Sequence, residues 1–150
     1  MRLFLSLSEK DTKKIGFDMA EELVKKALLK RRKAEVILLK GDLGSGKTAF
    51  TKGFASFFGM KKISSPTFNI FRAFRLKNNA GGFTKLIHAD LYRIKDPSEL
   101  ENIGFFKEMS DKNNIIVIEW PELGGKKITG TKVNFEYGKK ENERLIKISS

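Results

Sequence analysis

The stretch Gly41-Asp42-Leu43-Gly44-Ser45-Gly46-Lys47-Thr48 constrains the fold more tightly than any other feature of the sequence, because it satisfies G-x-x-x-x-G-K-[ST] at every fixed position. Glycines let successive backbone N–H groups turn inward around phosphate oxygens. A helix that starts there presents the positive end of its dipole to the same anion. In such a loop Lys47 bridges the β- and γ-phosphates and the Thr48 hydroxyl coordinates Mg²⁺. The motif has meaning only between a strand and a helix, and the flanking patterns supply both. Glu35 to Lys40 is a short β-branched and leucine run that stops at Gly41, as a buried strand would. From Lys47 to about Phe58, the residues Phe50, Phe54, Phe57 and Phe58 mark the buried side of a helix, and Gly59 supplies its stop.

The rest of the chain reads as further alternation of helix and strand. Ser8 and Asp11 have capping-box spacing, and Ile15, Met19, Leu23 and Ala27 then draw one apolar stripe on a helix running to about Leu29. Pro66 to Leu76 and Phe83 to Tyr92 are expected as two strands joined by the turn-rich segment 77–82. Pro97 opens a helical stretch ending near Gly104, and a short helix is expected over Phe106 to Met109. Ile115 to Ile118 is another all-apolar strand, ending on Glu119-Trp120-Pro121, and Lys132 to Tyr137 with Arg144 to Ile148 forms a terminal hairpin. The fold class expected is α/β, a P-loop NTPase-like three-layer sandwich whose central mixed sheet includes antiparallel hairpins. The 150 residues argue for one domain over residues 1–150.

Composition closes off several chemistries. There is no cysteine, so disulfides, thiolate nucleophiles and Cys-based metal sites are excluded. His88 is the only histidine, which rules out a multi-histidine metal centre. That residue reads as a core or strand histidine rather than a catalyst. Thirty basic against eighteen acidic residues leave a formal charge of +12, suited to polyanions, although the lysines spread over most segments. They concentrate between Lys25 and Lys33, at Lys61-Lys62, at Lys126-Lys127 and at Lys139-Lys140. The longest apolar runs are too short to span a bilayer, so no membrane role is expected. The brief apolar start has no cleavage-site pattern after it, and a cytoplasmic location is expected.

A Mg-nucleotide site also needs acidic oxygens, since the metal takes one or two carboxylates directly or through water. Glu119 is the first candidate because it ends a buried strand, on the edge where open α/β sheets bind ligands. Asp90, within His88-Ala89-Asp90-Leu91-Tyr92-Arg93, is the second. Ser64-Ser65-Pro66-Thr67-Phe68 reads equally as a loop sensing the γ-phosphate or as a turn. Trp120 reads first as packing beside the acid. No arginine-finger position stands out among Arg72, Arg75 and Arg93.

Four blocks in order, Gly41 to Thr48, Ser65 to Phe68, His88 to Arg93 and Ile118 to Glu122, resemble the bacterial tRNA threonylcarbamoyladenosine biosynthesis ATPase family TsaE over nearly the whole chain. The resemblance implies a small Mg-dependent ATPase; with no arginine-finger position evident, hydrolysis is expected to be slow alone and stimulated by partners. It implies association with, and resetting of, the two-subunit enzyme that transfers threonylcarbamoyl to adenosine 37 of tRNA, with direct tRNA contact left open. It assigns ATP to Asp42, Leu43, Gly44, Ser45, Gly46, Lys47 and Thr48, with Lys47 also catalytic. It places Thr67 in a switch-like loop, Thr12 near the base and Trp120 in the site wall. Thr48, Asp90 and Glu119 form the metal and water-positioning network. Ala49 departs from a second Thr common in the family and removes one hydroxyl contact. Two rivals remain: a P-loop small-molecule kinase, against which the lack of an arginine-rich lid counts, and a noncatalytic RNA-binding module.

Overall fold

A computed structural model of the chain describes residues 1–26, 31–66 and 68–150. In chain order the elements are β1 (Arg2–Ser6), α1 (Glu9–Lys26), β2 (Glu35–Lys40), α2 (Lys47–Phe57), β3 (Phe71–Arg75), β4 (Lys85–Asp90), α3 (Glu99–Asn102), α4 (Phe105–Ser110), β5 (Asn114–Glu119), β6 (Thr131–Tyr137) and β7 (Arg144–Ser149). Seven strands form one sheet in the order β1-β7-β6-β2-β5-β4-β3. The inner strands β6, β2, β5 and β4 run parallel. The outer pairs β3–β4, β6–β7 and β1–β7 are antiparallel. This is the mixed sheet with antiparallel hairpins that the sequence predicts.

Side-chain alternation along each strand divides the core into the two faces of a three-layer sandwich. Ile37 and Leu39 of β2, Leu86 of β4, and Ile115 and Val117 of β5 pack against Phe50 and Phe54 of α2 and Met19 of α1. Val36, Leu38, Ile87, Ala89, Ile116 and Ile118 point the other way, onto Leu100 of α3 and Phe105 of α4. Strands covered on both faces need apolar residues at consecutive positions, which is why β2 and β5 are unbroken aliphatic runs.

Helix α1 starts as its cap predicts, with the Asp11 N–H donating to Ser8 Oγ at 3.1 Å and the Leu7 N–H donating to Asp11 Oδ2 at 3.0 Å. Its continuation toward Leu29, and Ala27 with it, lies outside the described residues. The buried face centres on Thr12, Gly16, Met19 and Ala20, with Ile15 and Leu23 only partly buried beside it. The reason is contact between helix backbones: a Cβ on Gly16 would lie 2.3 Å from the Phe50 carbonyl oxygen, and one on Gly53 would lie 1.9 Å from that of Lys13. Two glycines thus let α1 and α2 approach more closely than side chains allow. Helix α2 ends as expected, with the Gly59 N–H on the Ser56 carbonyl and the Met60 N–H on that of Ala55.

Two expectations require correction. Strand β1 is additional to those read from sequence; it is an edge strand that leaves Leu3 and Leu5 more than half exposed, so its hydropathy carries little signal. Strand β3 starts at Phe71, not Pro66. The bridge from the Asp90 N–H to the Ile70 carbonyl closes that end of the ladder, and Pro66 has no N–H to extend it.

Candidate nucleotide site

Strand β2 delivers the chain to the carboxyl edge of the sheet, and the loop from Gly41 to Gly46 turns it back into α2. Gly46 has φ +106°, a left-handed conformation that lets the helix start immediately with Lys47. The Lys47 ammonium lies inside the loop, where Nζ donates to the carbonyls of Gly41 at 2.6 Å and Asp42 at 2.9 Å. It also sits 4.4 Å from the centre of the Trp120 ring. Burial pushes the Lys47 pKa below the ordinary lysine value, and the charges of Glu119, Asp90, Asp42 and Glu122 partly offset this.

Register explains why two carboxylates stand near this lysine. Asp90 and Glu119 are paired across β4 and β5 at the ends of those strands. Counting back by twos, they share the sheet face of Leu86 and Ile115, the face that α2 covers. Glu119 is buried, and Oε1 lies 3.0 Å from His88 Nε2 and 3.5 Å from Thr48 Oγ1. Asp90 accepts the Tyr92 N–H at 3.0 Å, which fixes the turn leaving β4. Trp120 is held in a left-handed conformation, φ +57°, rare for a residue with a side chain, and its ring lies 5.0 Å from that of Tyr92. That strained turn is what lays the indole over Lys47.

Around the loop opens a cleft of about 520 Å³, lined among others by Thr12, Gly44, Lys47, Thr48, Asp90, Glu119 and Trp120. Thr12 is buried against the loop; its hydroxyl is 2.7 Å from Ser6 Oγ, and its methyl group lies where a Cβ on Gly46 would make contact. Asp42 and Leu43 are exposed, while Ser45 is buried with an Oγ that has no partner among the described residues. The Ser45 N–H donates to the Asp42 carbonyl and tightens the loop. Thr67 lies outside the described residues, and Ser64 faces a different groove, where it accepts from Arg72 at 2.8 Å.

Sequence reading missed the clamp on the outside of the loop. The Tyr137 hydroxyl donates to the Leu43 carbonyl, and Arg144 Nη2 donates to that of Gly44 at 3.2 Å, so the β6–β7 hairpin braces the loop from about 100 residues away. Among the described residues, Arg144 is the arginine lining the cleft, and Arg72, Arg75 and Arg93 are not in its wall. No local pattern announces a contact at that separation.

The donors fit a hard divalent cation bound with phosphate. Thr48, Glu119 and Asp90 offer only oxygen, and among the described residues no group of three or more His, Asp or Glu gathers to cage a metal alone. Such a site relies on ligand oxygens to complete its shell, as Mg²⁺ sites at phosphates do.

Strand, glycine-rich loop and helix, with acids at the neighbouring strand ends, define a P-loop NTPase-like α/β protein. The family model described as Threonylcarbamoyl adenosine biosynthesis protein TsaE matches residues 6–146, and the chain belongs to that family. A tRNA threonylcarbamoyladenosine biosynthesis protein TsaE from Rickettsia felis is 35% identical over 145 residues, covering 94% of this chain and 75% of the relative. Its namesake from Borreliella burgdorferi is 39% identical over 89 residues, 59% of this chain and 61% of the relative, so the match spans about six tenths of that relative's length. The crystal structure of Bacillus subtilis YdiB superposes with a TM-score of 0.64 at 25% identity, covering 97% of this chain and 82% of that one.

Proposed function

We propose that the chain is a Mg-dependent ATPase of the cytoplasm that supports threonylcarbamoylation of adenosine 37 in tRNA by associating with, and resetting, the two-subunit transferase. The observation that carries this reading is the convergence of Lys47 and Thr48 at the start of α2 with Glu119 at the end of β5. Bound with ATP, Mg²⁺ would supply charge neutralisation at the phosphate. Thr48 with Glu119 and Asp90 would hold it. Lys47 exchanges its loop carbonyls for phosphate oxygens, and the loop N–H groups bear on the same charge. Glu119 positions the attacking water, and Trp120 shields the ammonium from solvent.

Slow turnover by the isolated chain is consistent with the arginines. Arg144 lines the cleft but is committed to carbonyls of Gly44, Glu141 and Glu143. Where an arginine finger acts it contributes about 10³–10⁵ in rate, so a partner that completes the site would stimulate hydrolysis. Direct tRNA contact is supported by a second groove, lined by Lys13, Lys52, Lys61, Lys62 and Arg72, with Lys13 ion-paired to Glu9. Lys52 borders both groove and cleft.

The test is tRNA modification in vitro with the two transferase subunits over many turnovers, comparing the chain with Lys47→Ala. Multiple turnover that needs the chain and is lost in the variant supports the reading. Turnover indifferent to the chain rejects it.

A further inference from the structure

We propose that His88 is a positioning residue for Glu119: its Nε2–H holds one carboxylate oxygen and so aims the other into the nucleotide cleft. This rests on the ATPase reading, in which Glu119 orients water.

Geometry carries the argument. His88 lies on β4 opposite Val117 of β5, one inward-facing position before the Asp90–Glu119 pair, so its side chain rises on the α2 face directly behind Glu119. Its Nε2 is 3.0 Å from Glu119 Oε1, with the two side chains 1% and 6% exposed. Thr48 Oγ1 stands 3.5 Å from the same oxygen. Both donors therefore fall on Oε1, and among the described residues none reaches Oε2. Glu119 lines the cleft, and the His88 contact at Oε1 restrains its carboxylate from the buried side, leaving Oε2 without a protein donor among the described residues. Because a carboxylate accepts, the imidazole hydrogen is assigned to Nε2.

Packing alone does not account for an imidazole here. Leu86, Ile115 and Val117 around it on the same face are fully buried aliphatics. His88 Nδ1 is buried without a partner among the described residues, a polar atom that costs free energy and that an apolar side chain would remove. A polar group kept at that cost, with its other nitrogen on the one acidic side chain that Thr48 also approaches, is placed for orientation. The arrangement parallels the outer-shell hydrogen bonds that fix ligand carboxylates and imidazoles in metal sites, whose loss lowers affinity or activity by about 10–100-fold.

The test compares the full chain with His88→Leu and His88→Gln, measuring ATP affinity by calorimetry and hydrolysis separately, with and without the transferase subunits. In His88→Leu we expect affinity within about 3-fold and kcat lower by about 10–100-fold. His88→Gln places an amide donor near the position of Nε2 and should recover most of kcat. Unchanged kcat in His88→Leu, parallel losses of affinity and kcat, or equal impairment in both variants overturns the proposal. Nitrogen-15 NMR of the single histidine judges it without any variant of that residue. A protonated Nε2, with its signal moved by Glu119→Gln, supports the contact; a bare Nε2 with the hydrogen on Nδ1 alone refutes it. If the wild-type chain hydrolyses no ATP under any condition, the ATPase reading fails, and the NMR result still decides the His88 contact.

Discussion

Replacing Gly53 by Ala sets two effects of opposite sign against each other. In an exposed helix interior the change stabilises by about 1 kcal/mol through helix propensity. At Gly53 the new Cβ would sit 1.9 Å from the Lys13 carbonyl oxygen and 2.6 Å from its Cα, and real Cβ contacts do not come below 3.0 Å. The obstacle is backbone, not the movable end of a side chain, so α1 must retreat by about 1 Å. A gap of that size forfeits about a quarter to a half of each dispersion contact along the helix pair. Overpacking of this kind costs about 1–3 kcal/mol, and a backbone clash belongs at the upper end. A net loss of about 2 kcal/mol follows, or about 4–8 °C in Tm for a chain of this size. Calorimetric melting of the two proteins measures it. Because Lys47 and Thr48 lie more than a turn away on α2, Mg-ATP should still raise the Tm of the variant. A Gly53→Ala protein that melts at or above the wild-type temperature would refute the close-approach argument.

Three further outcomes are expected. Lys47 has a folded-state pKa below 10.5 because of burial, so between its folded and unfolded pKa values the unfolded chain binds more protons and stability contributed by this group rises with pH. A triphosphate beside the group favours its charged form, so ATP binding at alkaline pH should take up protons, as calorimetry in two buffers of different ionisation heat can show, and no uptake at any alkaline pH would contradict the placement of Lys47. Tyr137→Phe removes one neutral hydrogen bond from the loop and should weaken ATP binding by about 3–10-fold with little change in Tm, whereas unaltered affinity would mean the hairpin does not brace the loop. Trp120 is the only tryptophan and lies over Lys47, so ATP should change its emission in wild type but not in Lys47→Met, as fluorescence titration can check.

Sequence legibility followed locality. The loop, β2, β5 and the start of α2 are spelled by consecutive residues, and the structure places them as read. Glu119 could be assigned as an acid ending a buried strand, but its pairing with His88 depends on β4–β5 register, which periodicity does not give. The buried face of α1 was displaced from its apolar stripe because Gly16, a residue without hydrophobic signal, makes the closest helix contact. Strand β1 hid because an edge strand can expose its leucines. Tyr137 and Arg144 were illegible as site residues because only the folded sheet brings their hairpin onto Leu43 and Gly44.

Titration calorimetry with ATP at saturating Mg²⁺, on the wild-type chain and on Lys47→Ala, tests the grip of the loop on a triphosphate. Saturable one-to-one heat is expected in wild type, with affinity lower by at least about tenfold in the variant, the worth of a charged hydrogen bond. No heat in wild type, or equal affinity in both proteins, would contradict that grip.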